Sequence, residues 1–251
     1  MLWGSALASV GIAALWAGGG WFLALVVAVV GIMVWELARL LDPAARRRAL
    51  LLAMLAGTGV AATALLPPAA ALPLVLVPAL AGLVLLPEHR TIFAIYASLM
   101  VVAGFGLWHL RSDFGQAGLR WMLWLALIVI ATDVLGYFAG RLIGGPKIWP
   151  AISPNKTWAG TIAGWIGAAF IGLGFAGPGG AAEMVGLSVA LAMAAQLGDA
   201  AESALKRKMG VKDASNLIPG HGGMMDRFDG MLGAAVLFLL VEQAIGFPVA
   251  G

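Results

Sequence analysis

The residues that could do chemistry lie in the second half of the chain, in four constellations. Asp133, Tyr137 and Arg141 recur at i, i+4 and i+8, so on a helix they share one face. Gly136, Gly140 and Gly144 interleave with them, and a small residue at every fourth position lets a second helix approach closely. A carboxylate inside an apolar helix either pairs with a cation or serves a function. The second constellation is Ser153-Pro154-Asn155-Lys156-Thr157-Trp158. Just before a helix, such residues offer a cation, hydroxyls and open backbone N–H groups to a phosphate. They lack the glycine pattern of a P-loop, and a helix cap beside an interfacial lysine accounts for them equally well.

The third constellation runs from Leu197-Gly198-Asp199 through Glu202 and Ser203 to Lys206-Arg207. Asp199, Glu202, Ser203 and Lys206 fall at i, i+3, i+4 and i+7, one polar stripe at a helix end. A solvated terminus explains Glu202 through Lys206, but not an aspartate placed directly after an apolar run. The fourth is Lys212-Asp213, Ser215-Asn216, Pro219-Gly220-His221-Gly222-Gly223 and Asp226-Arg227-Phe228-Asp229. Its glycines permit close backbone approach to a ligand. Asp226 and Asp229 stand at i, i+3, and hard carboxylate oxygens suit Mg2+, which binds one or two carboxylates together with substrate phosphates. With Lys206, Arg207 and Arg227 nearby in sequence, the block could hold a metal and a polyphosphate together.

The elements that position these residues must be membrane helices. Of 251 residues, 62% are apolar and 11% charged, against about 25% charged in a soluble domain. A spanning helix needs about 20 apolar residues. Nine segments qualify, at roughly 2–17, 21–41, 49–66, 70–86, 91–110, 119–141, 157–175, 183–201 and 230–247. The expected fold is therefore an all-α polytopic membrane protein with about nine transmembrane helices. Residues 1–110 would form a scaffold, and residues 111–251, with polar loops at 142–156 and 202–229, a catalytic region. The first segment has no basic n-region or cleavage site and reads as a span, not a signal peptide. With the N-terminus in the cytoplasm, every basic residue but Arg111 and Arg120 falls inside, 13 of 15, as the positive-inside rule requires. Tryptophans near span ends read as an interfacial belt. Glu36 and Arg39 close the second span, where snorkelling and i, i+3 pairing suffice. The absence of cysteine excludes disulfides and thiolate chemistry.

Residues 203–229 resemble the diagnostic motif of phosphatidate cytidylyltransferases, also called CDP-diacylglycerol synthases. Ser203-Ala-Leu-Lys206-Arg207, Lys212-Asp213, Pro219-Gly220-His221-Gly222-Gly223 and Asp226-Arg227-Phe228-Asp229 carry the resemblance. The Ser153–Trp158 and Asp133–Arg141 stretches extend it in the same order, and Trp35-Glu36-Leu37 is its trace in the first half. The chain departs from the family pattern at Ala159, where an acidic or amide residue is common, and at Gly136, where alanine is usual.

The resemblance implies a membrane-embedded, all-helical, homodimeric enzyme; the split of basic residues sets the expectation of the bacterial inner membrane with the active site facing the cytoplasm. It would convert CTP and phosphatidic acid to CDP-diacylglycerol and pyrophosphate for phospholipid biosynthesis, using Mg2+ and, as a further expectation, a second cation. Asp199, Asp226 and Asp229 are the implied metal ligands. Asp199, Asp226, Lys206, Arg207 and His221 are the expected catalytic residues. Ser153, Lys156, Thr157, Asp133, Tyr137, Arg141, Ser203, Lys212, Asp213, Gly222, Gly223 and Arg227 are expected at the substrates. Lys206, Arg207 and Lys156 would hold phosphate, and His221 would donate to it. The nearest enzyme rival is a CTP-dependent lipid kinase. An ion-coupled transporter would also use Asp133 and Asp199, but has no use for the Gly-His-Gly-Gly loop. No partner nucleic acid is expected.

Overall fold

The computed structural model describes residues 2–220 and 222–245. These form nine α-helices and one short hairpin: α1 (Leu2–Ala17), α2 (Gly19–Leu41), α3 (Arg46–Leu65), α4 (Pro68–Leu85), α5 (Arg90–Ser112), α6 (Ala117–Leu142), β1 (Lys147–Trp149), β2 (Ser153–Thr157), α7 (Trp158–Phe175), α8 (Ala181–Lys208) and α9 (Met225–Ile245). Each expected span is a helix. Six of them, α2, α3, α5, α6, α7 and α8, are long and apolar enough to cross a membrane, so the expected count of nine is not reached on that measure. The apolar parts of α1 and α4 are shorter, Ala6–Ala17 and Pro73–Leu85. In α9, Asp226, Arg227, Asp229 and Glu242 dilute the apolar sequence.

The chain divides into two compact units, one of residues 1–119 with 209–228, the other of residues 120–208 with 229–251. In the first unit, α2, α3, α4 and α5 pack on one another around Val34, Leu37, Leu52, Phe93 and Val101, which are fully buried. Small residues bring the helices together. A Cβ on Gly59 would lie 2.9 Å from the Leu74 carbonyl oxygen, and one on Gly104 would lie 2.6 Å from Val30. At the α2–α3 turn, Arg48 pairs with Asp42 at 2.8 Å and donates to the Leu85 carbonyl at 2.8 Å.

In the second unit the loop expected over 142–156 is partly ordered as the antiparallel hairpin, with Lys147 opposite Thr157 and Trp149 opposite Ser153. Thr157 ends β2 and caps α7, its hydroxyl accepting from the Gly160 amide at 3.2 Å, one of the orphan donors of a helix start. Trp124 is not a belt residue: it is fully buried on α6 and donates to Ser188 of α8 at 3.0 Å. Trp16 and Trp21, beside the break at Gly18, are exposed as a belt requires. Helix α8 runs to Lys208, so the Asp199–Lys206 stripe is helical throughout.

Candidate active site

Glycine contacts between backbones set the geometry of the second unit. On α6 and α7, a Cβ added to Gly160 would sit 2.4 Å from the Gly136 carbonyl oxygen, and one on Gly140 would sit 3.1 Å from the Thr157 hydroxyl. Gly140 thus shares in the close approach its spacing predicts, whereas Gly136 does not need to lack a side chain, since a Cβ there would lie 3.4 Å from the Gly160 carbonyl oxygen; the residue that must lack one is Gly160. Gly144 does not share in it; it lies past the helix end at φ 68° with open space around it. On α8 and α9, a Cβ on Gly198 would sit 2.4 Å from the Asp229 carbonyl oxygen, and one on Gly233 would sit 2.1 Å from that of Ala194. Such contacts leave no space for a side chain, so the residues flanking each glycine are brought close together.

Between α6, the hairpin, α7 and α8 lies a cavity of about 540 Å³, within the range of small-molecule sites. Asp133, Tyr137 and Arg141 line it from α6, Lys147 and Lys156 from the hairpin, and Asp199 from α8. The shared face of Asp133, Tyr137 and Arg141 is as their spacing predicts, and Arg141 donates to the Tyr137 hydroxyl at 2.9 Å. The Lys156 ammonium forms an ion pair with the Asp199 carboxylate. Ser203 donates to the other Asp199 oxygen at 3.3 Å. Asp133, Asp199 and Asp229 lie within electrostatic reach of one another, with Lys156 and Lys206 as the cations that offset them. Lys206 is buried and donates to Glu202 at 2.9 Å. Thr157 is cavity-lining but nearly buried, and its hydroxyl serves the α7 cap. Ser153 stands at the far end of β2 and is not among the cavity-lining residues. Arg207 is exposed on α8.

The expected residues of the fourth constellation fall in the first unit, except Asp229. Asp226 orders the loop: its Oδ2 accepts from the Ala214 amide at 3.0 Å and the Gly223 amide at 2.7 Å. Gly222, at φ 78°, would place a Cβ 2.7 Å from that same oxygen, and Gly223 would place one 2.6 Å from Glu36 Oε1. The close approach predicted for these glycines is therefore to the protein's own carboxylates. Lys212, Asp213 and Arg227 are exposed around this loop. His221 lies outside the described residues.

Three cavity or loop residues escaped the sequence reading. Lys147 sits beside the Lys156 strand, a proximity set by hairpin pairing and not by spacing. Gln196 lies within the apolar stretch of α8, accepting from Trp165 at 2.9 Å and donating to the Thr161 carbonyl at 3.3 Å. Glu36 is the largest correction. It does not snorkel: it is fully buried and receives three hydrogen bonds from the 215–225 segment. One signal for it was present, the Trp35-Glu36-Leu37 stretch.

Mg2+ fits the chemistry of the second-unit donor set, hard carboxylates clustered beside lysines that can serve phosphate. Among the described residues, no three His, Asp or Glu side chains converge into a complete protein-only metal site. A cation here would take its remaining ligands from phosphate oxygens or water, which is how Mg2+ is commonly bound beside nucleotides.

These features define an α-helical membrane protein with a cavity lined by both acidic and basic side chains. The Cytidylyltransferase family model matches residues 1–244, and the chain belongs to this family. It is 43% identical over 143 residues to a phosphatidate cytidylyltransferase of Brucella abortus biovar 1 (strain 9-941), covering 55% of this chain and 52% of that one. It is 40% identical over 139 residues to the enzyme of that name from Helicobacter pylori (strain ATCC 700392 / 26695), covering 54% and 50%. Against the Haemophilus influenzae protein of the same name it is 39% identical over 163 residues, covering 61% and 56%. The chain spans about half the length of the curated relatives it matches.

Proposed function

We propose that this chain transfers the cytidylyl group of CTP to phosphatidic acid, giving CDP-diacylglycerol and pyrophosphate. The observation that carries the reading is the cavity in which Arg141, Lys147 and Lys156 face Asp133 and Asp199, in a family member with helices fit to cross a membrane. A phosphatidate phosphate oxygen attacks the α-phosphorus of CTP. The bond from that phosphorus to the bridging oxygen of pyrophosphate breaks in line. The nucleophile is already ionised at neutral pH, so no protein base is required. The residues must instead hold two anions together and neutralise them.

Lys156 and Lys147 bind phosphate oxygens in the cavity, and Arg141 orients a phosphate with its planar fork. Lys206 and Arg207 add positive charge at the end of α8. Asp199 and Asp229 would hold Mg2+, which supplies Lewis-acid polarisation of the α-phosphate when bound. Lys156 exchanges its ion pair with Asp199 for a phosphate partner as substrate enters. The resemblance also gives Asp226 to a metal, and Ser153, Ser203, Lys212, Asp213, Arg227 and His221 to the substrates. Those assignments rest on the motif.

All nine helices are proposed to cross the bacterial inner membrane, with the N-terminus and the loops at 142–156 and 202–229 in the cytoplasm, where CTP is made. The basic-residue asymmetry supports this topology. A homodimer is proposed on the family resemblance. The test is incubation of the purified full chain with CTP labelled in its cytosine ring and at the α-phosphate, together with phosphatidate. Both labels should enter the organic phase. If neither label enters it, and CDP is released beside a newly phosphorylated lipid, the chain is a CTP-dependent kinase instead.

A further inference from the structure

Glu36 is a carboxylate on an apolar helix with no exposed surface, and a buried charge needs a full set of partners. Its partners all come from one segment distant in sequence. Oε1 accepts from the Ser215 hydroxyl at 2.6 Å and the Met224 amide at 2.9 Å, and Oε2 accepts from the Met225 amide at 2.7 Å. Ser215 in turn accepts from the Leu217 amide at 3.1 Å. Glu36 therefore holds the loop at its middle and at the start of α9, where the Met224 and Met225 amides are orphan donors. Asp226 closes the same loop from within, through the Ala214 and Gly223 amides. Gly223 is the point where the loop backbone passes directly against the Glu36 carboxylate.

We infer that Glu36 is a positioning residue: through Ser215 and the Met224 and Met225 amides it fixes the glycine-rich 213–226 loop in the conformation used to bind the anionic substrates. The inference rests on the cytidylyltransferase reading for what the loop serves. It does not rest on that reading for the ordering itself. Every partner of Glu36 is a donor, so the position requires an acceptor at both oxygens. Glutamine keeps the shape but turns an NH2 group towards an N–H or O–H donor, and alanine removes all three bonds.

The test uses the full chain in detergent micelles. Because the chain has no cysteine, a spin label can be placed at Leu217→Cys, an exposed loop site, and in a separate protein at Glu183→Cys on α8 as a control. Glu36→Gln should give a mobile component at 217 and none at 183. It should also lower kcat/KM for CTP or phosphatidate by about tenfold, the effect of losing one charge-assisted bond. Gly223→Ala displaces the same carboxylate without removing it and should reproduce the mobile component. Combined with Glu36→Gln it should add little, as expected for two changes in one network. If Glu36→Gln does not fold, Gly223→Ala alone, which displaces the carboxylate and leaves the Ser215–Leu217 bond in place, decides by the same spectra. Folded variants with an unmoved label at 217 overturn the inference, as does a mobilised loop with unchanged kinetics. A wild-type chain inert towards CTP and phosphatidate would defeat the functional reading, and the spectra would still decide whether Glu36 orders the loop.

Discussion

Gly198→Ala separates geometry from stability at the carboxylate cluster. The new Cβ would meet the Asp229 carbonyl oxygen at 2.4 Å and the Gly233 amide nitrogen and Cα at 3.1 and 3.3 Å. These are backbone atoms of the neighbouring helix, so no side chain can swing aside. Ordinary contact begins near 3.4 Å, so α8 and α9 must part by about 1 Å at this point. Overpacking of this kind costs about 1–3 kcal/mol, and alanine in place of a helical glycine returns about 1 kcal/mol. The net loss of stability is then about 0–2 kcal/mol. The site fares worse, because Asp199 adjoins the substituted residue and Asp229 carries the struck carbonyl. A displacement of about 1 Å at reacting groups costs about a hundredfold in rate. Gly198→Ala should therefore keep a monodisperse, folded protein whose thermal midpoint moves by a few degrees, with transfer of label from CTP to lipid about a hundredfold slower. Gly136→Ala is the control, since its Cβ would meet the Gly160 carbonyl at 3.4 Å, and it should stay within about twofold of wild type. A Gly198→Ala protein with near-wild-type turnover would refute the claim that the α8–α9 contact sets the carboxylate geometry.

Four further outcomes are expected. Asp199→Asn should lower turnover by about a thousandfold or more, the loss of several kcal/mol of electrostatic stabilisation, and chelation of divalent cations should abolish turnover in the wild type; full activity after exhaustive chelation would remove the metal from the mechanism. Arg207→Lys should leave membrane insertion intact but weaken apparent affinity for CTP or phosphatidate about tenfold, because lysine lacks the two parallel donors of arginine; unchanged constants for both substrates would make Arg207 a membrane anchor. A cysteine at Leu217 should resist an impermeant maleimide added outside intact cells and react in inverted vesicles. Leu217 is preferable to Ser215 for this purpose because Ser215 bonds to Glu36.

What was legible in the sequence followed helical periodicity. The nine apolar segments are helices, and Asp133, Tyr137 and Arg141 share a face, because local spacing fixes both. Thr157 could be read as a cap because Ser/Thr before a helix has a local use. What was hidden depended on pairing across sequence distance. Lys147 reaches the cavity through a hairpin whose strands, KIW and SPNKT, carry little alternation. Gln196 was lost within an apolar stretch. Glu36 looked like a snorkelling residue because its helix is apolar on both sides, and its three donors come from about 180–190 positions later in the chain.

Asp199 and Asp226 show why residue type alone could not separate the roles of two motif aspartates. Each is an aspartate in a motif with basic neighbours, and the resemblance assigns both to a metal. Asp199 is met by side chains, the Lys156 ammonium and the Ser203 hydroxyl, which can rotate away and exchange partners. Asp226 Oδ2 is met by the backbone amides of Ala214 and Gly223, which cannot leave without reshaping the loop. A carboxylate held by exchangeable side chains can pass its charge to an arriving cation at small cost, whereas one held by backbone donors is first an architectural element. The two asparagine variants should therefore differ in kind. Asp199→Asn should lose turnover at an unchanged thermal midpoint. Asp226→Asn should also lower the midpoint, because its amide must orient one oxygen towards two N–H groups while its NH2 seeks an acceptor. Equal midpoints for the two variants would show that the Asp226 bonds contribute nothing to the fold.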